Sequence, residues 1–434
     1  MNLRPLFYAL LIANLGTTLF LWWTHSSFFM TSGNTGQILI GLGRLMGLLA
    51  ELGILVQLVL IGRIRVVEQE YGFDMLNRLH RVLGFYLLAA LITHPLFLVT
   101  GYSIVNHTAF APQLVTFFTS WEDVFAAFLG LCVLLIAIST SVAIVRRKLR
   151  YETWYFIHFL IYLAIALFFS HQVKSGDLTT GSAMYYWYAV NFTIFGLVLV
   201  YRFMRPLYLL WVHRFEVERI VQESAVVTSV YITGRNLARF IIQPGQFAHI
   251  SFLARDTWYT HPFSFSQVNN GKNLRLSIKA LGDFTAQIAR ITPGTPVLID
   301  GPFGVFTQKK NVTGKYLFIA GGIGITPIRA LAESLSLKNA DQRLLYSIRN
   351  MDELVFEEEL KQLNIPTSII TSQSHENGYE HGHIDTEKIQ RLAPDFITRD
   401  IYVCGPPTMI ETVCTALATL GVPKNQIHYE RFSY

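Results

Sequence analysis

Charge is scarce in this chain. Asp, Glu, Lys and Arg make up 15% of its 434 residues, while hydrophobic residues make up 52%. That balance excludes an ordinary water-soluble protein of this size. The net charge of +6 is small, and its basic residues gather at the ends of apolar runs, so no nucleic-acid partner is expected. Cysteine is nearly absent. Cys132 lies in an apolar run and Cys404 and Cys414 lie in the polar half, which excludes a disulfide framework. A cleavable leader is also not expected. The run 5–23 is long, and no small-residue cleavage site follows Trp22-Trp23-Thr24-His25.

The shortage of charge is uneven, and that sets the organisation. Residues 1–206 hold long uncharged runs; residues 213–434 have ordinary soluble composition. Six runs approach the ~20 residues needed to cross a bilayer: 5–23, 37–62, 77–100, 122–145, 152–171 and 185–204. Arg63, Arg65 and Arg78 lie between spans 2 and 3, and Arg146, Arg147, Lys148 and Arg150 between spans 4 and 5. Arg202 and Arg205 follow span 6, whereas the alternate loops hold only Lys174. The positive-inside rule then puts both termini and the soluble half in the cytoplasm, with the chain a multi-pass protein of a plasma or cell inner membrane.

Four histidines stand out in the apolar half. His80 and His94 are 14 residues apart in span 3, and His158 and His171 are 13 apart in span 5. Fourteen residues rise roughly 21 Å and bring the helix close to four full turns, so His80 and His94 share a face at two depths. Both spans run from inside to outside. His80 therefore matches His158 near the cytoplasmic face, and His94 matches His171 near the outer face. Histidine is costly in lipid without a partner and is a common axial ligand of haem. The pattern predicts two bis-histidine b-type haem sites stacked across the bilayer. One spacing fits badly. Thirteen residues leave His158 and His171 about 140° apart on a straight helix. Either span 5 is distorted, or His171 sits at a frayed end around Ser170-His171-Gln172. Span 2 carries Arg44, which either snorkels to the interface or meets an outer haem propionate or an anionic substrate or product. It also carries Glu51, expected to pair with Arg44 or with a polar neighbour. Gly43 and Gly47 are spaced for close helix approach.

The polar half opens with short alternating strands at 215–220, 225–233, 246–252, 274–280 and 297–300, separated by turns such as Pro244-Gly245 and Pro293-Gly294. This predicts a small antiparallel β-barrel. From Lys315 the pattern becomes strand, glycine turn, helix, strand. The turn is Gly321-Gly322-Ile323-Gly324-Ile325-Thr326-Pro327, and strands follow at 344–347, 367–371 and 401–404. This predicts a parallel nucleotide-binding sheet, in which glycines either admit a pyrophosphate or serve packing. Ser347 and Arg349 end the next strand, where a ribose 2′ group would sit. Arginine there favours NADPH over NADH, a solvated Arg349 being the alternative.

Several of these stretches resemble one family. His261-Pro262-Phe263-Ser264-Phe265-Ser266 is similar to the flavin motif of the ferric reductase and NADPH oxidase superfamily. Lys279-Ala280-Leu281-Gly282-Asp283-Phe284-Thr285 resembles its second flavin-phosphate segment. Residues 321–327, Cys404-Gly405-Pro406-Pro407-Thr408-Met409 and Glu430-Arg431-Phe432 resemble its nicotinamide-binding stretches, and the two histidine spacings resemble its haem-binding helices. The resemblance implies a six-helix transmembrane haem bundle (1–206), an antiparallel β-barrel FAD domain (213–308) and an α/β NADPH domain (313–434), the last two ferredoxin-reductase-like. It implies that His261, Pro262, Phe263, Ser264 and Ser266 lie along the flavin, with Lys279, Gly282 and Thr285 near its phosphates. Gly321, Gly322, Gly324, Thr326 and Pro327 would form the NADPH pyrophosphate turn, with Gly405 and Pro406 beside it. Cys404 would lie near the nicotinamide, and Phe432 (or Tyr434) would shield the flavin ring. The implied activity is electron transfer from NADPH through FAD and two haems to a small acceptor outside the cytoplasm. Dioxygen giving superoxide is the first expectation, a ferric or cupric chelate the second. A reading of another class is a membrane anchor or quinone-linked subunit serving a partner protein. There is no acidic calcium loop ahead of the first span, so no calcium gating is expected. Animal oxidases of the superfamily carry a further histidine one turn beyond the outer ligand of span 3, where this chain has Leu98.

Overall fold

A computed structural model describes residues 3–121, 123–141, 148–149, 151–174, 178, 181–308, 314–375 and 377–431. The chain divides into two compact units, Met1–Glu70 with Met75–Leu199, and Tyr71–Asp74 with Val200–Tyr434.

Among the described residues, the first unit contains six helices long and apolar enough to cross a membrane: Arg4–Thr31, Thr35–Ile61, Phe73–Val105, Val124–Ser141, Glu152–Lys174 and Gly181–His213, the last of which runs on into the second unit. They match the six runs read from the sequence, with shifted ends. The first helix is longer than 5–23 and takes in His25, and the third extends to Val105. A further helix, Phe110–Ser120, occupies what the sequence suggested was a plain outer loop. Many large apolar side chains point outward, among them Ile12, Phe20, Phe85 and Tyr86. That suits a lipid-facing surface.

Close helix approach depends on small residues. A Cβ on Gly101 would lie 2.7 Å from the Gly36 carbonyl oxygen, and a Cβ on Gly36 would lie 2.8 Å from that of Gly101. Helices 2 and 3 thus touch backbone to backbone. Helices 4 and 5 approach likewise at Gly130, where a Cβ would meet Phe168 and the Ala164 carbonyl at 3.0 and 3.1 Å.

Among the described residues, the second unit contains two three-stranded antiparallel sheets and one parallel sheet. The first group comprises β1 (Glu216–Ser224), β2 (Val227–Thr233), β3 (Phe247–Phe252), β4 (His261–Ser264), β5 (Leu274–Lys279) and β6 (Val297–Phe303). The strand orders are β1-β2-β5 and β4-β3-β6. β4 was not among the strands expected from the sequence; its Pro262 masks the alternation, and it pairs with β3 on one side only. Both sheets turn Val230, Ile232, Ile250, Phe252 and Leu276 into a common apolar core.

The second group is β7 (Lys315–Gly321), β8 (Asp341–Ile348), β9 (Thr367–Thr371), β10 (Glu380–His381), β11 (Asp400–Gly405) and β12 (Ile427–Arg431), all parallel and ordered β10-β9-β8-β7-β11-β12. Alternate residues of β7 enter opposite cores. Tyr316, Phe318 and Ala320 face one, and Leu317 and Ile319 face the other. That is the pattern of a sheet covered on both faces. The chain leaves β7 towards β8 and returns to β11 on the opposite side. The carboxyl ends of β7 and β11 therefore flank a topological switch point, where open α/β sheets bind their ligands.

Arg399, almost wholly buried, holds the amino edge of this sheet. It pairs with Asp395 at 2.6 Å and Asp341 at 3.0 Å and donates to the Tyr316 carbonyl at 3.1 Å. Arg399→Met would leave two half-exposed carboxylates and a carbonyl without this partner. The expected cost is about 1–2 kcal/mol, read as a lower thermal midpoint of the full chain in detergent.

Candidate functional site

The membrane unit brings the four histidines together in two pairs. The rings of His80 and His158 are 6.2 Å apart between centroids, and those of His94 and His171 are 6.4 Å apart. Two imidazoles bridged by one metal need about 2 Å for each metal–nitrogen bond and about 1.1 Å from each nitrogen to its ring centre, or about 6.2 Å in all. Both pairs therefore fit an iron between them.

Tautomers support the same use. His94 Nδ1 donates to the Gly43 carbonyl at 2.8 Å, so its Nε2 carries the lone pair. Ser141 has one hydroxyl proton, given to the Ala137 carbonyl at 3.0 Å, and it accepts from Trp154 Nε1 at 3.1 Å. His158 Nδ1, 3.1 Å from Ser141 Oγ, must then be a donor, and its Nε2 also carries the lone pair. The buried Nδ1 atoms of His80 and His171 have no hydrogen-bond partner among the described residues.

The 13-residue spacing is accommodated by distortion, not fraying. The fifth span is two helical pieces, Tyr151–Phe159 and Ile161–Lys174, with the break at Leu160 between the two histidines. Leu160 N bonds the Ile157 carbonyl, a tightened turn. The far end is pinned. Lys174 pairs with Asp123 at 2.7 Å, and Ser170 donates to the same carboxylate at 2.5 Å. The hydrogen bonds from Lys174 and Ser170 hold Asp123 below the usual carboxylate range.

A cavity of about 220 Å³ surrounds His94 and His171, walled largely by apolar side chains, with Arg44, Glu51 and Gln172 as polar members. Arg44 stands 4.9 Å from the Phe29 ring centre. Glu51 meets a polar neighbour rather than Arg44. Gln172 donates to it at 2.6 Å and accepts from Trp187 Nε1 at 3.1 Å. Sequence reading missed Gln172 and Ser141, whose roles arise only from pairing across helices.

In the second unit the expected flavin residues separate into two groups. His261, Pro262 and Phe263 are half-exposed on β4, and the His261 and Phe284 rings lie 3.9 Å apart. Ser264 Oγ is buried without a hydrogen-bond partner among the described residues. These residues form an open aromatic wall with an available hydroxyl, which fits a flavin. Ser266 is instead wholly buried. Its hydroxyl contacts Ser277 at 2.8 Å and Arg275 Nε at 3.1 Å, and its carbonyl accepts from Arg275 and Arg329. Arg275 and Arg329 both bind Glu359, at 2.7 Å each. Burial would raise Glu359, but the two guanidinium groups outweigh it and hold the carboxyl below its usual range. The Thr285 hydroxyl accepts from the Leu281 and Gly282 amides at 2.8 and 3.0 Å, capping the amino end of its own short helix, Asp283–Gln287. Lys279 pairs with Glu353 at 2.8 Å.

The glycine turn lies at the switch point. Gly322 has φ +52° with open space where a Cβ would be; the other glycines serve packing. A Cβ on Gly324 would lie 2.3 Å from the Cys404 carbonyl oxygen, and one on Gly405 would lie 3.0 Å from the Gly321 backbone. Thr326 is buried and donates to the Ile323 carbonyl at 3.0 Å, and Pro327 is buried beside it. Pro406 precedes the helix Pro407–Thr419. Cys404 is fully buried, and burial pushes its thiol well above the ordinary range. Ser347 pairs in register with Gly321, and Arg349 lies just past that strand end. Phe432 and Tyr434 lie outside the described residues.

Three family models match the chain. Residues 46–169 match the ferric reductase like transmembrane component, 220–307 an FAD-binding domain and 318–415 an oxidoreductase NAD-binding domain. Among curated relatives, flavohemoprotein B of Dictyostelium discoideum is 26% identical over 50% of this chain and 58% of its own length. The reductase component of propane 2-monooxygenase from Rhodococcus jostii is 25% identical over 51% of this chain and 63% of its own. The chain thus spans about three fifths of the length of these two relatives. Among solved structures, the flavohem-like FAD/NAD-binding domain of nitric oxide dioxygenase from Vibrio cholerae is 26% identical, with a TM-score of 0.45 over 50% of this chain and 97% of its own. The matched domains are a ferric-reductase-like transmembrane component, an FAD-binding domain and an oxidoreductase NAD-binding domain. Their order along the chain is the ferric reductase / NADPH oxidase-like architecture.

Gly47 offers a test of the outer pair. A Cβ there would lie 2.7 Å from His94 Cε1 and Nδ1. Gly47→Ala is expected to displace the imidazole and reduce haem content by up to one per chain. Quantifying haem against protein in the purified variant checks this.

Proposed function

We propose that this chain carries electrons across a membrane, from cytoplasmic NADPH through FAD and two b-type haems to dioxygen on the opposite side. The carrying observation is the pairing of His80 with His158 and of His94 with His171 at metal-bridging separations. When bound, FAD supplies the exchange between a two-electron donor and one-electron carriers, and haem iron supplies the one-electron relay. One NADPH yields two electrons and one proton, and two dioxygen molecules become two superoxide ions.

The chain's own residues position these groups. Gly43 and Ser141 orient the imidazoles of His94 and His158. The aromatic wall of His261, Phe263 and Phe284 supports the flavin, with Ser264 offering it a hydroxyl. Gly322 leaves room for the NADPH pyrophosphate. Each histidine pair would hold one haem, which would supply single electrons to the acceptor. Leu98, Phe117 and Phe128 give the outer cavity an apolar wall that suits a small neutral acceptor, and Arg44 would favour an anionic product. The match to a ferric reductase like component favours a second reading, with the same path ending on a ferric chelate.

Orientation follows from charge. Arg63, Arg65 and Lys148 lie between spans and Arg78, Arg202 and Arg205 lie within the third and sixth helices towards the same connections, and this reading makes that side cytoplasmic. Lys174 on the other side is neutralised by Asp123, which sharpens the asymmetry. Arg146, Arg147 and Arg150 lie outside the described residues.

His94→Leu should remove the outer haem, abolish superoxide release and leave reduction of the flavin by NADPH intact. Superoxide and ferric-chelate reduction measured on one preparation separate the two acceptors. A variant that keeps full acceptor turnover overturns the proposed path.

A further inference from the structure

The edge beside the glycine turn carries a charge arrangement that the sequence did not disclose. Arg349 is the residue expected to hold a 2′-phosphate, yet its guanidinium is already engaged. Its Nε donates to Glu353 Oε1 at 2.8 Å, and its Nη2 pairs with the same oxygen. These are two of the N–H groups that a bidentate phosphate contact would use. Glu353 has a second partner. Lys279 Nζ reaches that oxygen at 2.8 Å, and both side chains are about 10% exposed. Arg349 is 56% exposed, so the arginine is the member open to a ligand and the Lys279–Glu353 pair the buried one.

We infer that Glu353 sets the dinucleotide preference by competing with the ribose 2′-phosphate for Arg349. NADPH binds by exchange: the guanidinium leaves Glu353 for the phosphate, and Lys279 continues to neutralise the carboxylate. NADH has no group to exchange, and its 2′-hydroxyl can donate to a carboxylate at this edge. Glu353 thus lowers the affinity for NADPH and leaves that for NADH unchanged or improved. The short 3₁₀ turn Met351–Glu353, closed by the Glu353 amide to the Asn350 carbonyl at 3.0 Å, places the carboxylate four residues beyond the arginine.

This inference rests on the reading of the switch point as the nucleotide site. The test is anaerobic flavin reduction by the full chain in detergent, followed at increasing NADPH and increasing NADH. In Glu353→Gln the half-saturating NADPH concentration should fall about tenfold relative to that for NADH, a change that a charge-assisted contact readily supplies. Adding Arg349→Ala to that variant should cancel the gain, whereas a merely structural role for Glu353 would not need Arg349. Glu353→Asp keeps the charge beside Lys279 and withdraws it from Arg349. It should shift the ratio in the same direction even if Glu353→Gln fails to retain flavin. An unchanged ratio in the variant that retains flavin overturns the inference. A parent protein whose flavin is reduced by neither nucleotide overturns the underlying reading instead.

Discussion

The proposed sharing of one iron by each imidazole pair requires its two rings to stand about 6.2 Å apart, and the membrane unit meets that spacing twice. The third helix contributes His80 and His94, and the fifth contributes His158 and His171. The surrounding residues remove the freedom these rings would otherwise have. Gly47 leaves space against His94, and the Gly43 carbonyl fixes its tautomer. Ser141, its proton already committed, fixes the tautomer of His158. The break at Leu160 and the clasp of Asp123 with Ser170 and Lys174 present His171 despite its awkward spacing. In hydrocarbon, where an unsatisfied polar group is costly, such local hydrogen bonds are the available means of aiming a ligand.

The second unit manages charge rather than its absence. Arg275, Arg329 and Glu359 tie the antiparallel sheets to the nucleotide sheet through the Ser266 carbonyl. Arg349, Glu353 and Lys279 make a second bridge between the same two parts, but with one exposed member. The first cluster is buried and suits a fixed joint. The second has a guanidinium able to change partners, which suits a ligand edge.

Much of this was legible in the sequence where the signal is local or periodic. Six apolar runs, four histidines at repeated spacings and a glycine turn between strand and helix each follow from helix rise, strand alternation or backbone sterics. What could not be read was pairing across elements. Ser266 looked like a flavin contact, but the fold commits it to the joint between the sheets, and the capping role of Thr285 could not be read from the linear sequence. Gly321 and Gly324 looked like pyrophosphate glycines, but close approach of β7 to β11 accounts for both, leaving Gly322 facing open space. Arg349 looked free because nothing in a linear sequence says that Glu353 folds back onto it. The β4 strand was hidden by its proline.

The most direct measurement is an anaerobic absorbance spectrum of the purified full chain before and after NADPH, with haem quantified per chain. The account predicts two low-spin bis-histidine haems, both reduced after the flavin. A chain without haem, retaining its FAD and NADPH-dependent flavin reduction, would contradict the reading of the histidine pairs.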